Sequence, residues 1–396
     1  MSRRHDVIVV GAGPVGLVCA LKLARAGLDV LLLEAAAQLN EELRASTFHP
    51  PTLDMLEEFG VTAGLIRQGL VTPTWQVRMH ETGEHAEFDL SLLKGHTGHP
   101  YRLQCEQWKL SRMLVSLYPG ELWFETRALE IDQTEDTVRL TVEQSGERTE
   151  LHCAYLVGAD GARSVVRKAL GLGFEGVTFP ETTILATTHF DFAAHLEGLS
   201  GVNYCWAPTG TFSLLRLPGE WRVSLYPDDG ESAEAALEDD ALERKLQRIV
   251  PRAQRYEVLQ KRPYRIHQRV VDRYRAGRVL LAGDAAHLNS PSGGMGMNGG
   301  IHDAFSLAEK LIRVLRREAA AELLDLYERQ RRPVALEQIL AQSGRNRARM
   351  QERDPQKRLA ALHELQVIAA DRSRALRHLL RTSMIEGLRQ AQAIAA

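Results

Sequence analysis

The chain is poor in several things that would announce a function. Four cysteines in 396 residues, Cys19, Cys105, Cys153 and Cys205, stand far apart and form no C-x-x-C pair. That argues against a disulfide framework and against a metal site, and fits a reducing, cytoplasmic setting. Charge of one sign is missing too. Forty-nine Lys and Arg against 51 Asp and Glu leave a formal net charge of −2, so charge points to neither a nucleic acid nor a membrane surface. No apolar stretch is long enough to span a bilayer, and none follows the charged start M-S-R-R-H-D, so neither a span nor a signal peptide is expected. There is no internal repeat and no low-complexity linker. What remains is an ordinary soluble composition on a chain long enough for two or three domains.

The N-terminal segment has a definite pattern. Val7–Val10 reads as a buried strand and runs straight into Gly11-Ala12-Gly13-Pro14-Val15-Gly16. A helix follows, with Leu17, Ala20, Leu21 and Ala24 on one face and Gly27 at its end. A second strand, Val30–Leu33, delivers Glu34. These are the parts of a dinucleotide-binding turn. Gly11 allows the tight turn, Gly13 lets the backbone approach a pyrophosphate, and Gly16 lets helix pack on strand. The helix N-terminus offers free N–H groups to the anion, and Glu34 suits ribose hydroxyls. The bland alternative is an α/β unit whose glycines serve packing alone. The G-x-G-x-x-G string recurs at Gly171–Gly176 and Gly294–Gly299. The first of these follows a helix-like stretch and reads as a connecting turn. The second lacks an immediately preceding strand and a suitably spaced acid.

Two more strands end in an acid. Tyr155-Leu-Val-Gly-Ala-Asp160-Gly-Ala-Arg-Ser164 leads into a helix beginning near Ser164. Asp160 there either belongs to a cofactor site or caps a surface turn. Val279–Ala282 runs into Gly283-Asp284, then a glycine-studded loop, then a helix from about Gly300. An acid beside a phosphate would repel it, so Asp284 is assigned to a sugar-like polyol chain; otherwise it caps the next turn. Backbone N–H groups around Gly293, Gly294 and Gly296 can stabilise negative charge on a ring carbonyl, with no side chain in the way. Asn298 tolerates a capping conformation, and Met295 and Met297 read best as packing. Joined to the N-terminal turn, this late loop implies one long dinucleotide held at both ends, which points to FAD. His287 is either a base or a residue that orders the loop.

G-A-G-P-V-G with Glu34, V-G-A-D-G-A-R-S, and A-G-D-A-A-H…P-S-G-G-M-G-M-N, in this order and spacing, resemble the class A flavoprotein monooxygenases, the aromatic hydroxylases related to para-hydroxybenzoate hydroxylase. The resemblance spans most of residues 6–340. It implies an α/β fold: a Rossmann-like FAD-binding domain with an inserted mixed-sheet substrate domain and C-terminal helices. It also implies hydroxylation of a phenolic or N-heterocyclic ring by NADH or NADPH and dioxygen, through a flavin hydroperoxide. The nicotinamide donor would dock transiently, since no second nucleotide unit is evident. By the same resemblance Arg44, in R-A-S-T-F-H, meets the FAD phosphates. Gln107, in the Q-x-x-L of L-Q-C-E-Q-W-K-L, reaches the ribityl chain, its alternative being a solvated helix residue. Asp160 serves both FAD and the nicotinamide. Pro291 and the Gly294–Asn298 backbone, with Gly296 and Met297, surround the flavin ring. Leu129 completes this cofactor-binding set.

The expected division is 1–72, 100–181 and 268–342 for the FAD domain, 73–99 and 182–267 for the substrate domain, and 343–396 for a C-terminal helical region. Strands are expected at Trp75–Met79, Thr183–Phe190, Phe212–Leu217 and Trp221–Tyr226, and helices at Glu231–Val250 and Asp303–Arg317. Candidates for a substrate pocket are His49, Tyr204, Trp206 and Arg216; each has an ordinary reading as a sheet residue with its tip in water. The basic, helix-rich end reads as solvated helices, with an interaction surface as the alternative. The thioredoxin-like extension of some larger relatives is not expected, and a homodimer is compatible. Rival functions are a halogenase, whose G-W-x-W-x-I-P segment is missing, a flavin-dependent reductase or oxidase, and a non-catalytic FAD scaffold.

Overall fold

The computed structural model describes residues 4–42 and 44–395; the N-terminal reading rests partly on Met1–Arg3, which lie outside them. Two eight-stranded sheets organise the chain. The first centres on Arg4–Val10, a strand whose last four residues, Val7, Ile8, Val9 and Val10, are apolar and buried. It pairs in parallel with Val30–Leu33 on one side and Glu147–Gly158 on the other, Val7 lying opposite both Val30 and Tyr155. Val279–Leu281 and Glu121–Trp123 extend the parallel sheet outward. A parallel sheet needs cover on both faces, and the helices Pro14–Arg25, Gln107–Leu117 and Gly296–Leu315 contribute Leu17, Leu21, Leu110, Ile301 and Leu307 to its core.

The second sheet runs His287–Leu288, Gln260–Val271, Phe174–Thr188, Glu220–Leu225, Gly210–Leu217, Val202–Ala207, Thr74–Met79, His85–Asp89. Successive strand residues point to opposite faces, and the two faces differ. Phe212, Leu214, Trp221, Val223, Ile184 and Ala186 form a core with Leu242, Leu246 and Ile249 of the helix Asp239–Ile249. The register then puts Thr183, Leu185, Tyr204, Ser213, Leu215, Arg222, Ser224 and Tyr226 on the other face. Thr47–Phe48, Arg102–Gln104 and Leu70–Thr72 form a small third sheet, with Arg102–Gln104 in the middle.

Several elements differ from expectation. The helix expected over Glu231–Val250 begins only at Asp239, because Glu238 is extended (ψ 143°). Upstream, Glu231 is held in a turn, its carboxylate accepting from Asp228 N and from Lys245 Nζ. The late helix begins at Gly296, not Gly300. The strand expected from Thr183 begins at Phe174 and takes in Gly176, whose Cβ would meet Gln268 O at 2.0 Å. The C-terminal helices are not merely solvated. Leu362, Leu365 and Leu379 form a core with Trp75, Val77 and Phe88, covering one end of the second sheet. No described helix is long and apolar enough to cross a membrane.

Candidate cofactor and substrate site

The three glycines of the N-terminal turn do different work. Gly11 has φ +104°, and a Cβ there would stand 2.5 Å from Ala159 O. At Gly16 a Cβ would stand 1.8 Å from Gly11 O. Both are therefore fixed by protein packing. Gly13 has an ordinary φ of −69° and a Cβ there would meet nothing within 4 Å, so backbone is presented to open space. The helix Pro14–Arg25 begins at this spot with no side-chain cap and no acid in its first turn, which leaves its N–H groups and positive dipole end available to an anion. Glu34 stands at the adjoining strand end, its carboxylate accepting from Ala12 N and Ala36 N. The strand Thr126–Gln133, which carries half-buried Leu129, starts against it through Thr126 N to Glu34 O.

The late loop locks onto this unit. Val15 packs between two of its glycines: Cβ atoms at Gly283 and Gly300 would lie 3.0 and 2.7 Å from Val15 Cγ2. Gly293 and Gly294 have φ +100° and +67°. Asn298 is fully buried and spends its amide inside the protein: Oδ1 accepts from His49 N, and Nδ2 donates to Thr47 O and Gly294 O. Met297 is buried in the core and Pro291 is exposed. His49 lies wholly buried, with Nε2 2.8 Å from Gly293 O. A carbonyl only accepts, so Nε2 carries the hydrogen and Nδ1 is an acceptor without a partner. Burial, then the charge of Arg102, push this imidazole down to about 3.

Asp284 sits deep in the protein mass yet its side chain remains exposed, so it lines a recess instead of packing. Burial raises its carboxyl, against His287 and Arg44. Arg44 is exposed, 3.7 Å from Glu42, and within electrostatic reach of Asp284. Tyr264 and Tyr226 are likewise deep but only half-buried. The register puts Tyr264 opposite Thr183, and Tyr226, just past the strand Glu220–Leu225, is in reach of the same threonine. Gln107 begins its helix with N donating to Ala45 O, and its side-chain amide has no partner among the described residues. Asp160 caps the helix Val165–Ala169: Oδ2 accepts from Val165 N and Val166 N, while Oδ1 has no partner. An open anion-binding helix end and a deep exposed acid fit an extended flavin dinucleotide. The loop glycines are required by packing: Cβ atoms at Gly293, Gly294 and Gly296 would meet Asn346, Thr47 and Asn289 at 2.8, 2.9 and 2.8 Å. Among the described residues no acid, histidine and cysteine cluster suits a metal ion. All four thiols are buried and pushed up to about 12, which makes them inert.

The pocket candidates separate. Tyr204 faces inward, half-buried. Trp206 shares that face but is buried beneath the C-terminal helices, its Nε1 donating to Arg349 O. Arg216 is a correction: strand alternation puts it with Phe212 and Leu214 on the opposite face, exposed, over the Trp221 ring. His287 is also corrected as a base. It is buried, with Nε2 2.7 Å from Asp303, which also binds Arg331 Nε at 2.7 Å. Sequence reasoning missed Arg102, Arg222, Tyr226 and Tyr264. Alternation in E-W-R-V-S-L-Y does put Arg222, Ser224 and Tyr226 on one face, but only the assembled sheet shows that this face turns inward.

A family model described as FAD binding domain matches residues 4–343. The para-nitrophenol 4-monooxygenase of Pseudomonas sp. (strain WBC-3) is 35% identical over 98% of this chain and 98% of its own length. This chain belongs to the FAD-dependent aromatic monooxygenases. The 6-hydroxy-3-succinoylpyridine 3-monooxygenase HspB of Pseudomonas putida (strain DSM 28022 / S16) is 34% identical over 87% of the chain and 89% of its own length. Among solved structures, p-nitrophenol 4-monooxygenase PnpA from Pseudomonas putida DLL-E4 superposes with a TM-score of 0.91, at 34% identity over 98% of this monooxygenase and 99% of that chain. A ternary complex of aklavinone-11 hydroxylase with FAD and aklavinone superposes at 0.79, with 29% identity over 89% and 70% of the two chains.

Proposed function

We propose that this monooxygenase hydroxylates a small phenolic or N-heterocyclic ring, with NADH or NADPH as transient electron donor and dioxygen as co-substrate. FAD, when bound, supplies the redox and oxygen chemistry. In this reading the FAD domain comprises 1–72, 100–181 and 268–342, and 73–99 with 182–267 form the substrate domain. The long strands Phe174–Thr188 and Gln260–Val271 cross the junctions. The Gly11–Gly16 turn receives the pyrophosphate, Glu34 the adenosine ribose and Arg44 the phosphates. Asp284 and Gln107 hold the ribityl chain, and the Gly294–Asn298 backbone meets the flavin ring. Asp160, anchored by its helix cap, keeps one oxygen for a further partner.

What carries the reading is the inward face of the second sheet. Leu185, Tyr204, Leu215 and Ser224 stay half-buried there, a mixed polar and apolar patch suited to a flat ring. This patch is joined to the glycine loop through Arg102 and His49. The test is a panel of phenols and hydroxypyridines added to FAD-loaded enzyme with each nicotinamide donor under isotopic dioxygen. Substrate-stimulated donor oxidation with one labelled oxygen in the product is expected. A chain that takes up FAD but shows no stimulated oxidation with any ring is a scaffold, and the reading fails.

A further inference from the structure

Of the buried arginines, nearly all have an evident partner. Arg78 donates to Glu197 O, Arg167 to Ala285 O and Ala162 O, Arg358 to Ala207 O and Glu352 O, and Arg331 binds Asp303. Arg222 is likewise orphaned at Nε and Nη2, but Glu220 and Glu106 lie within electrostatic reach of its charge. Arg102 has no such acid near it among the described residues. It is 3% exposed, and among the described residues neither a carboxylate nor a backbone carbonyl pairs with it. Nε and Nη1 are orphaned. Its guanidinium lies 5.2 Å from the centre of the Trp75 ring, with the Tyr204 hydroxyl beside it.

Burying a cation without an anion is unfavourable, and ring contact offsets only part of that. Folding alone would favour a neutral side chain here. The location supplies a reason for the charge. Tyr204, on the inward sheet face, stands beside the guanidinium, and the pairing of Leu103 with Phe48 brings Arg102 alongside His49, the residue that holds Gly293. The cation thus stands between the half-buried patch and the glycine loop.

We propose that Arg102 is the specificity-determining anchor of the substrate, binding a planar two-oxygen substituent of the aromatic ring, a nitro or carboxylate group. The guanidinium fork matches two coplanar oxygens; a carboxylate supplies the missing counter-charge, and a nitro group offers two oxygens with partial negative charge. Tyr204 stands beside the same fork, within reach of the ring. This proposal rests on the aromatic hydroxylase reading and narrows its substrate class.

The test uses FAD-loaded wild type, Arg102→Met and Arg102→Lys, titrated with 4-nitrophenol, 4-hydroxybenzoate and phenol while the flavin spectrum is followed. Wild type is expected to bind at least one of the two substituted rings about ten-fold or more tightly than phenol. The two arms separate nitro from carboxylate. Arg102→Met is expected to lose that preference and Arg102→Lys to recover part of it. Thermal melting supplies the structural control: an unpaired cation replaced by Met leaves the melting temperature unchanged or raised, whereas a structural arginine would lower it. The proposal is overturned if Arg102→Met keeps the preference, if wild type has none, or if the Met variant melts lower. Should no ring perturb the wild-type flavin or stimulate donor oxidation, the hydroxylase reading itself falls, and the anchor with it.

Discussion

The side-chain oxygen of Asn298 accepts the backbone N–H of His49 at 2.9 Å, across 249 residues of sequence. With its two donations to Thr47 O and Gly294 O, this one amide ties the segment after Arg44 to the glycine loop. Asn298→Ala removes three hydrogen bonds, two of them fully buried, and orphans their partners. We expect a loss of about 2–4 kcal/mol in urea denaturation of the FAD-free protein, with weaker FAD retention. An unchanged midpoint would mean that loop and strand are held by something else.

Gly13 and Gly16 should respond in opposite ways to the same substitution. Alanine at Gly16 collides with Gly11 O, so little folded protein is expected. Alanine at Gly13 meets no protein atom and keeps an allowed backbone. Its melting temperature should match wild type within about 1 °C, while FAD affinity falls about ten-fold or more because the methyl occupies the ligand's approach. Fluorescence titration with FAD reads the difference directly.

Asp303 links His287, Arg331 and the backbone of Gly283. Burial alone would raise its carboxyl, but Arg331 and His287 outweigh that and hold it at about 2. A carboxyl held below its unfolded value stabilises the fold above that value and loses the contribution as pH falls through the folded one. Asp303 therefore contributes on the order of 2 kcal/mol, lost between roughly pH 4 and pH 2. Asp303→Asn leaves Arg331 buried and unpaired, and should lower stability by about 3–5 kcal/mol at neutral pH. Chemical denaturation at pH 7 checks this.

His49 and His378 are pushed down by burial, to about 3 and about 4, and His302 is pushed well below its usual value. Each is neutral in the fold and takes up a proton more readily when unfolded. Their stabilisation is complete above roughly pH 6.5 and declines as the medium acidifies from there. The urea midpoint should be level from pH 7 to 8 and drop by pH 5, and less steeply in His49→Asn. Equal slopes in both proteins would show that His49 takes no part.

Much of the flavin end was legible because its signals are local. Gly11, Gly16 and Glu34 lie within one strand–turn–helix–strand unit, and each residue's task follows from its neighbours in sequence. The substrate end was less legible. Arg216 and Arg222 stand on adjacent strands, and nothing within either strand tells which of the two faces inward. His287 looked like a free imidazole beside an acid until Asp303, sixteen positions on, closed over it. Asn298 looked like a ligand to the flavin loop, and its side chain proved to be a clamp between segments.

The amino-acid sequence by itself marked a glycine turn and a late glycine loop as the places expected to hold a dinucleotide, because backbone approach and helix-end charge are set by short spacings. Tertiary structure alone decided which sheet face turns inward, where the C-terminal helices pack, and that Arg102 is buried with no acid paired to it among the described residues. A strand's alternation defines two faces but not their destinations, and a charge's partners are known only once distant segments have met.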